Sequence, residues 1–155
     1  MTAPFEPGDF VWTNFPFEAD PNHPGPGRHA ALIMATFGTR EVAQISATPA
    51  PKRGIVVAVY TSSQVGKFGT NPPIGVIPVP VDRALKSGNR TAFFIDVRKR
   101  AFMPLSTDYF PELDRPGFGI VGRADKGLFA EARRQFILVN ERHKEMIVNL
   151  GPYRP

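Results

Sequence analysis

Apolar and polar positions alternate in short blocks over most of this 155-residue chain, then switch to a helical period near its end. From Asp9 to Phe17 the alternation predicts a strand, with Phe10 and Trp12 on one face and Val11 and Phe15 on the other. Residues 30–37 and 55–60 are unbroken apolar runs, the pattern of strands covered on both faces. Residues 74–81 read as extended, and Pro78 and Pro80 confine them to a sheet edge. Residues 91–97 read as another buried strand, ending at the basic run Arg98-Lys99-Arg100. Beyond Asp125, Leu128, Ala132, Phe136 and Val139 recur at helical spacing. They predict one amphipathic C-terminal helix with a break near Asn140, ended by Gly151 and Pro152.

The connecting segments are rich in residues that break regular structure. Between Asp20 and Gly27, three prolines and two glycines in eight residues leave only a loop. Glu41 to Ser46 reads as a short strand, and Ala47 to Arg53 as a basic turn containing proline. Val65 to Pro73 is a loop that carries Lys67 and Phe68. Leu105 to Phe118 is turn-rich, with room for a short helical piece. The 17 prolines and 14 glycines fit an all-β core with many turns. With no internal repeat and no long linker, the expectation is one domain over 1–155. It carries loop insertions near 38–53 and 104–118, and a helix from about 125.

Composition narrows the chemistry. The chain has no cysteine, which excludes disulfides, thiol nucleophiles and cysteine-based zinc sites. No signal-peptide layout is visible, and no apolar run approaches the roughly 20 residues that cross a bilayer. A soluble, cytoplasmic protein without membrane contact is expected. The net charge of +5 permits a polyanionic partner without demanding one.

Familiar catalytic signatures are absent or misplaced. Gly117, Gly119 and Gly122 match a dinucleotide-binding spacing, but no buried strand precedes them, so they read as a turn into a short strand. His23, His29 and His143 show no ligand spacing, and no G-x-S-x-G elbow exists. Neither a cofactor nor a metal is expected.

Three separated segments carry more. Gly8 to Pro16 is a turn feeding an aromatic strand; Arg28 stands just ahead of a buried strand; Thr61-Ser62-Ser63-Gln64 closes another. A guanidinium at a sheet rim can grip phosphate oxygens with two prongs. Hydroxyls and an amide at a strand end can donate to phosphate or to base edges, although turn capping is their commoner use. Asp96 precedes Arg98 and Lys99, which pairs a carboxylate with local cations, as a surface ion pair would also do. Phe68, beside Lys67, can stack on a splayed base or simply anchor its loop.

Together these segments resemble the MazF/PemK family of toxin endoribonucleases from toxin–antitoxin modules. That family opens with Gly-Asp-apolar-x-Trp-x-x-Phe, continues with Arg-Pro-Ala and an apolar strand, and then ends an apolar strand in Thr-x-Gln or similar. This chain offers Gly8-Asp9 with Trp12 and Phe15, then Arg28-His29-Ala30, then Ser62-Ser63-Gln64. A fourth match is the strand at 92–97 running into basic residues. His29 stands where the family has Pro, and Phe94 where some members carry an Arg two residues before the acid.

The resemblance implies a mainly β, SH3-like small barrel of the MazF/PemK/CcdB kind with a C-terminal helix, acting as a homodimer. It implies metal-independent cleavage of single-stranded RNA through attack of the 2′-hydroxyl on the neighbouring phosphate, silenced by an antitoxin protein. Arg28 matches the catalytic Arg, Ser62 the hydroxyl that holds the phosphate, and Asp96 an acid found in some members. Because Arg is a poor base, Asp96 or His29 would share the proton transfer. Thr61, Ser63, Gln64, Lys67, Phe68, Arg98 and Lys99 would then line the RNA path. The competing expectation is a non-catalytic barrel that binds RNA or a protein target, including a toxin that poisons a topoisomerase.

Overall fold

The computed structural model describes residues 3–38 and 53–155. Among them, seven strands form one sheet: β1 Asp9–Thr13, β2 His29–Phe37, β3 Ile55–Ser62, β4 Val76–Val79, β5 Phe93–Pro104, β6 Ile120–Arg123 and β7 Val148–Leu150. The strand order is β4-β5-β3-β2-β1-β6, with β7 joining β5 in parallel and every other pair antiparallel. Two α-helices accompany the sheet, α1 Val81–Lys86 and α2 Lys126–Arg142.

β1 ends at Thr13 rather than running on to Phe17 as expected, and its period-2 pattern decides which core Phe10 and Val11 enter. Phe10 joins Leu32, Val59 and Ile95 on one face of the sheet, and Leu128, Ala132 and Val139 of α2 close over them. Val11 and Phe15 join Ile33, Val56 and Met103 on the other, where Phe5, Leu105, Phe110 and Leu113 complete the packing. Both faces are therefore covered, which is why β2 and β3 read as continuous apolar runs. Each fully buried large side chain contributes about 1.5–3 kcal/mol of burial.

The expected mainly β architecture with a C-terminal helix is present, but the sheet is open. Among the described residues β4 pairs only with β5, and β6 only with β1. Pro78 and Pro80 keep β4 at the edge, and the chain then passes through α1 toward β6 at the open seam. Arg123 N–H donates to Ser87 O at 3.1 Å, and a Cβ on Gly122 would fall 1.7 Å from that oxygen. The ends of the sheet thus meet backbone to backbone through the turn after α1, and glycine is what lets them.

Three further local expectations are corrected. β5 does not stop at Val97 but runs on to Pro104. Between Val59 and Tyr60 its partner jumps from Arg100 to Asp96, so Val97, Arg98 and Lys99 are extra residues in the ladder. This discontinuity divides β5 into a first half that pairs with β4 and a second half that pairs with β7. At the C-terminus, α2 ends at Arg142, and Val148–Leu150 leaves as β7 before Gly151 turns the chain. Asp125 caps α2 by accepting from Leu128 N–H at 2.8 Å. Helix α1 has no counterpart in the sequence reading. Residues 105–118 hold turns, with a lone helical hydrogen bond from Phe110 N–H to Ser106 O at 2.8 Å, rather than a helical piece. The short strand expected at 41–46 and most of the basic turn at 47–53 lie outside the described residues. No helix among those described is long and apolar enough to cross a membrane.

Candidate functional site

The site is built where β1 and β3 end and β2 begins. The loop from β1 to β2 folds back on itself, with Gly25 N–H donating to Asn14 O at 3.1 Å. A Cβ on Gly25 would meet Phe15 O at 2.2 Å, so this return needs glycine. Asn14 then binds the 105–119 segment twice: its N–H donates to Tyr109 O at 2.8 Å and its Nδ2 to Asp108 O at 2.9 Å. That docking carries Glu112 to Arg28.

Arg28 precedes β2 by one residue. Its guanidinium lies over the Trp12 ring, 4.6 Å from the centroid, because Trp12 pairs with Ala30 across the β1–β2 ladder. Arg28 Nη1 donates to Glu112 Oε2 at 2.7 Å, and the Arg28 side chain remains 55% exposed. Exposed stacking of this kind contributes about 0.5–1 kcal/mol and fixes the plane of the guanidinium. His29 opens β2 with its ring 6.0 Å from that of Tyr60, while its carbonyl accepts from Thr13 Oγ1 at 3.2 Å.

The hydroxyl run ending β3 divides its work. Thr61 is buried, and its Oγ1 donates to Ala30 O, which fastens β3 to β2. Ser62 Oγ accepts from Gln64 N–H at 3.1 Å, a local turn that orients the hydroxyl while leaving its proton to donate outward. Ser63 and Gln64 are exposed beyond it.

One cavity of about 280 Å³ collects these groups, with Arg28, His29, Ser62 and Gln64 in its lining. Thr61 and Ser63 line it too, and Asn89 and Thr91 enter from the loop before β5. Asn89 Nδ2 is a buried donor with no hydrogen-bond partner among the described residues. Among the described residues, no carboxylate belongs to this lining, although Glu112 reaches Arg28 from beside it. The arrangement offers a cation, hydroxyls, amides and an imidazole to an anionic ligand.

The other expected residues lie elsewhere. Asp96 is buried opposite Tyr60 and grips Arg98 with both oxygens, at 2.8 Å to Nε and 2.8 Å to Nη2. It also accepts from Arg98 N–H at 3.1 Å. The hydrogen bond to Asp96 raises the Arg98 pKa above its ordinary value, against the opposing pull of burial. Phe68 packs edge-on against Phe94 with centroids 5.1 Å apart, and the Arg98 guanidinium lies 5.5 Å from its ring. Lys67 Nζ lies 5.7 Å from the same ring. The ladder discontinuity aims each member of the basic run differently. Lys99 lies over Tyr60 at 5.1 Å, beside the cavity. Arg100 turns under α2, stacks 3.6 Å from the Phe136 ring centroid and donates to Phe136 O at 2.7 Å; burial pushes its pKa down to about 10.

Sequence reading passed over Asn89, Thr91 and Glu112, which come from loops without motif; only the polar character of 87–91 pointed toward the first two. Among the described residues, no group of three or more His, Asp or Glu side chains is placed to hold a metal ion. Compared with models of known protein families and with curated proteins, the sequence gives no match.

Proposed function

We propose that this chain is an endoribonuclease that cuts single-stranded RNA without a metal, of the MazF/PemK toxin type. The observation that carries this reading is the cavity itself: Arg28, His29 and Ser62 converge in its lining. In this reading the sheet is an SH3-like barrel left open between β4 and β6.

The chemistry follows from the group types. The 2′-oxygen attacks phosphorus, the bond to the 5′-oxygen breaks, and the products are a 2′,3′-cyclic phosphate and a free 5′-hydroxyl. Charge gathers on the non-bridging oxygens, where Arg28 and Ser62 donate; such preorganised donors are worth about 2.7–4 kcal/mol each in comparable sites. His29 takes the 2′-hydroxyl proton, the role imidazole fills most often. The departing 5′-oxygen receives a proton from solvent. Asp96 acts at a distance, holding Arg98 and the shape of β5. The protein works as a cytoplasmic homodimer, and an antitoxin peptide laid over the cavity silences it.

A second reading, a barrel that binds RNA or a protein without cutting, is favoured by one observation: Glu112 already engages Arg28. One experiment separates the two. Purified protein is incubated with a long single-stranded RNA in EDTA, with Arg28→Ala alongside. Discrete cuts with cyclic phosphate ends, lost in a folded Arg28→Ala protein, are expected. Intact RNA from folded wild type overturns the nuclease in favour of the binding domain.

A further inference from the structure

His29 and Tyr60 line the cavity that holds Arg28. His29 and Tyr60 also wall a second cavity of about 220 Å³, shared with Phe15, Phe17, Glu18 and Lys99. Resting on the RNA reading above, we propose that this second cavity receives one unpaired nucleobase of the strand whose phosphate lies against Arg28 and Ser62.

Size, shape and chemistry converge on this ligand. The volume falls below the roughly 300–1,000 Å³ of pockets that take larger ligands, and so suits a single planar ring. The walls are aromatic: Phe15 and Tyr60 meet with centroids 5.5 Å apart and planes inclined by 60°. Phe17 is 49% exposed, an apolar ring shown to solvent at the mouth. Its turn is fixed, because Phe17 O accepts from Asp20 N–H at 3.1 Å. Splayed bases stack on such rings. Lys99 Nζ and Glu18 Oε1 stand 3.9 Å apart at the same mouth. Lysine donates to a ring nitrogen or carbonyl of the base edge, and the carboxylate accepts from an amino group. His29 and Tyr60, with rings 6.0 Å apart, serve both cavities, so the path from phosphate to base crosses one pair of side chains. An aromatic side chain of a protein partner would meet the same walls but would leave Lys99 and Glu18 without a polar edge to read.

The test uses short single-stranded RNAs, 2′-O-methylated so that they cannot be cut, carrying 2-aminopurine at successive positions. Fluorescence titrations are run with wild type, Phe17→Ala, Phe17→Tyr and Lys99→Ala, each shown to be folded by circular dichroism. One position is expected to change its emission on binding. That change disappears in Phe17→Ala, with affinity about tenfold weaker; Phe17→Tyr restores it, and Lys99→Ala weakens binding. If wild type and Phe17→Ala bind equally and no 2-aminopurine responds, the cavity is not a base site, while the RNA reading stands. If folded wild type binds none of the RNAs, both are overturned, and the aromatic mouth becomes a protein-binding surface.

Discussion

Glu112 holds Arg28: its Oε2 lies 2.7 Å from Arg28 Nη1 across 84 residues of chain. The acid therefore occupies part of the donor set that a phosphate would use. A half-exposed pair of this kind contributes no more than about 1 kcal/mol, so an incoming phosphate displaces it at small cost. Glu112→Gln keeps the side chain's shape and removes the competing charge. Single-stranded RNA should then bind up to about fivefold more tightly at low salt. Fluorescence anisotropy across a salt series checks this, and weaker binding would mean that Glu112 contacts the strand instead of competing with it.

The family resemblance implied Asp96 as a catalytic acid. Its side chain is 2% exposed, and both oxygens are committed to Arg98. Removing one member of a buried pair costs about 3–5 kcal/mol, and Arg98, which reaches solvent, moves the expectation to about 3. Asp96→Asn should lower the urea midpoint accordingly and leave cleavage per folded molecule unchanged. A stable Asp96→Asn protein with no cleavage would return Asp96 to the chemistry.

Much of the fold was legible because burial imposes period. The two faces of β1, the doubly buried β2 and β3, the edge position of β4 and the start of α2 at Asp125 all follow from side-chain pattern and proline placement. What stayed hidden depended on backbone registry and distant contacts. The extra Val97, Arg98 and Lys99 in β5 have the same local composition whether the ladder continues or slips. Helix α1 is six residues long, too short for a periodic signature, and β7 is three. In the site, Arg28, His29 and Ser62 were legible as strand-end residues. Glu112 was not, because its approach depends on Asn14 binding a loop far along the chain.

The open seam makes Gly122 a sensitive position. Its added Cβ would lie 1.7 Å from Ser87 O and 2.8 Å from Ser87 C, both backbone atoms that cannot swing aside. Gly122→Ala should destabilise the protein by at least the roughly 1–3 kcal/mol of an overpacked core. Gly117→Ala, where a Cβ meets nothing within 4 Å but φ is +81°, separates steric clash from backbone strain. Thermal unfolding of the two variants compares them, and a loss in Gly122→Ala no larger than that in Gly117→Ala would show that the backbone at the seam yields to the added methyl.

Tyr109 sets a limit on stability in alkali. Burial, followed by the charges of Asp108, Asp20 and Tyr153, raises its pKa from 10.0 to about 12. Its hydroxyl donates to Asn22 O at 2.9 Å, joining the 105–119 segment to the β1–β2 loop beside the site. Below pH 10 the phenol is protonated in both folded and unfolded chains, and its contribution is fully present. Between pH 10 and about 12 the unfolded chain gives up the proton while the folded chain keeps it. The unfolded state then binds fewer protons, so stability falls as pH rises through this window. Tyr109→Phe loses about 1 kcal/mol at neutral pH, because Asn22 O loses its donor. The variant should also show a flatter decline in alkali, since phenylalanine has no proton to release. Urea denaturation of both proteins across the window measures the difference, in which the remaining tyrosines and Arg100 cancel. Parallel curves for the two proteins would mean that Tyr109 ionises in the folded protein as it does in the unfolded chain.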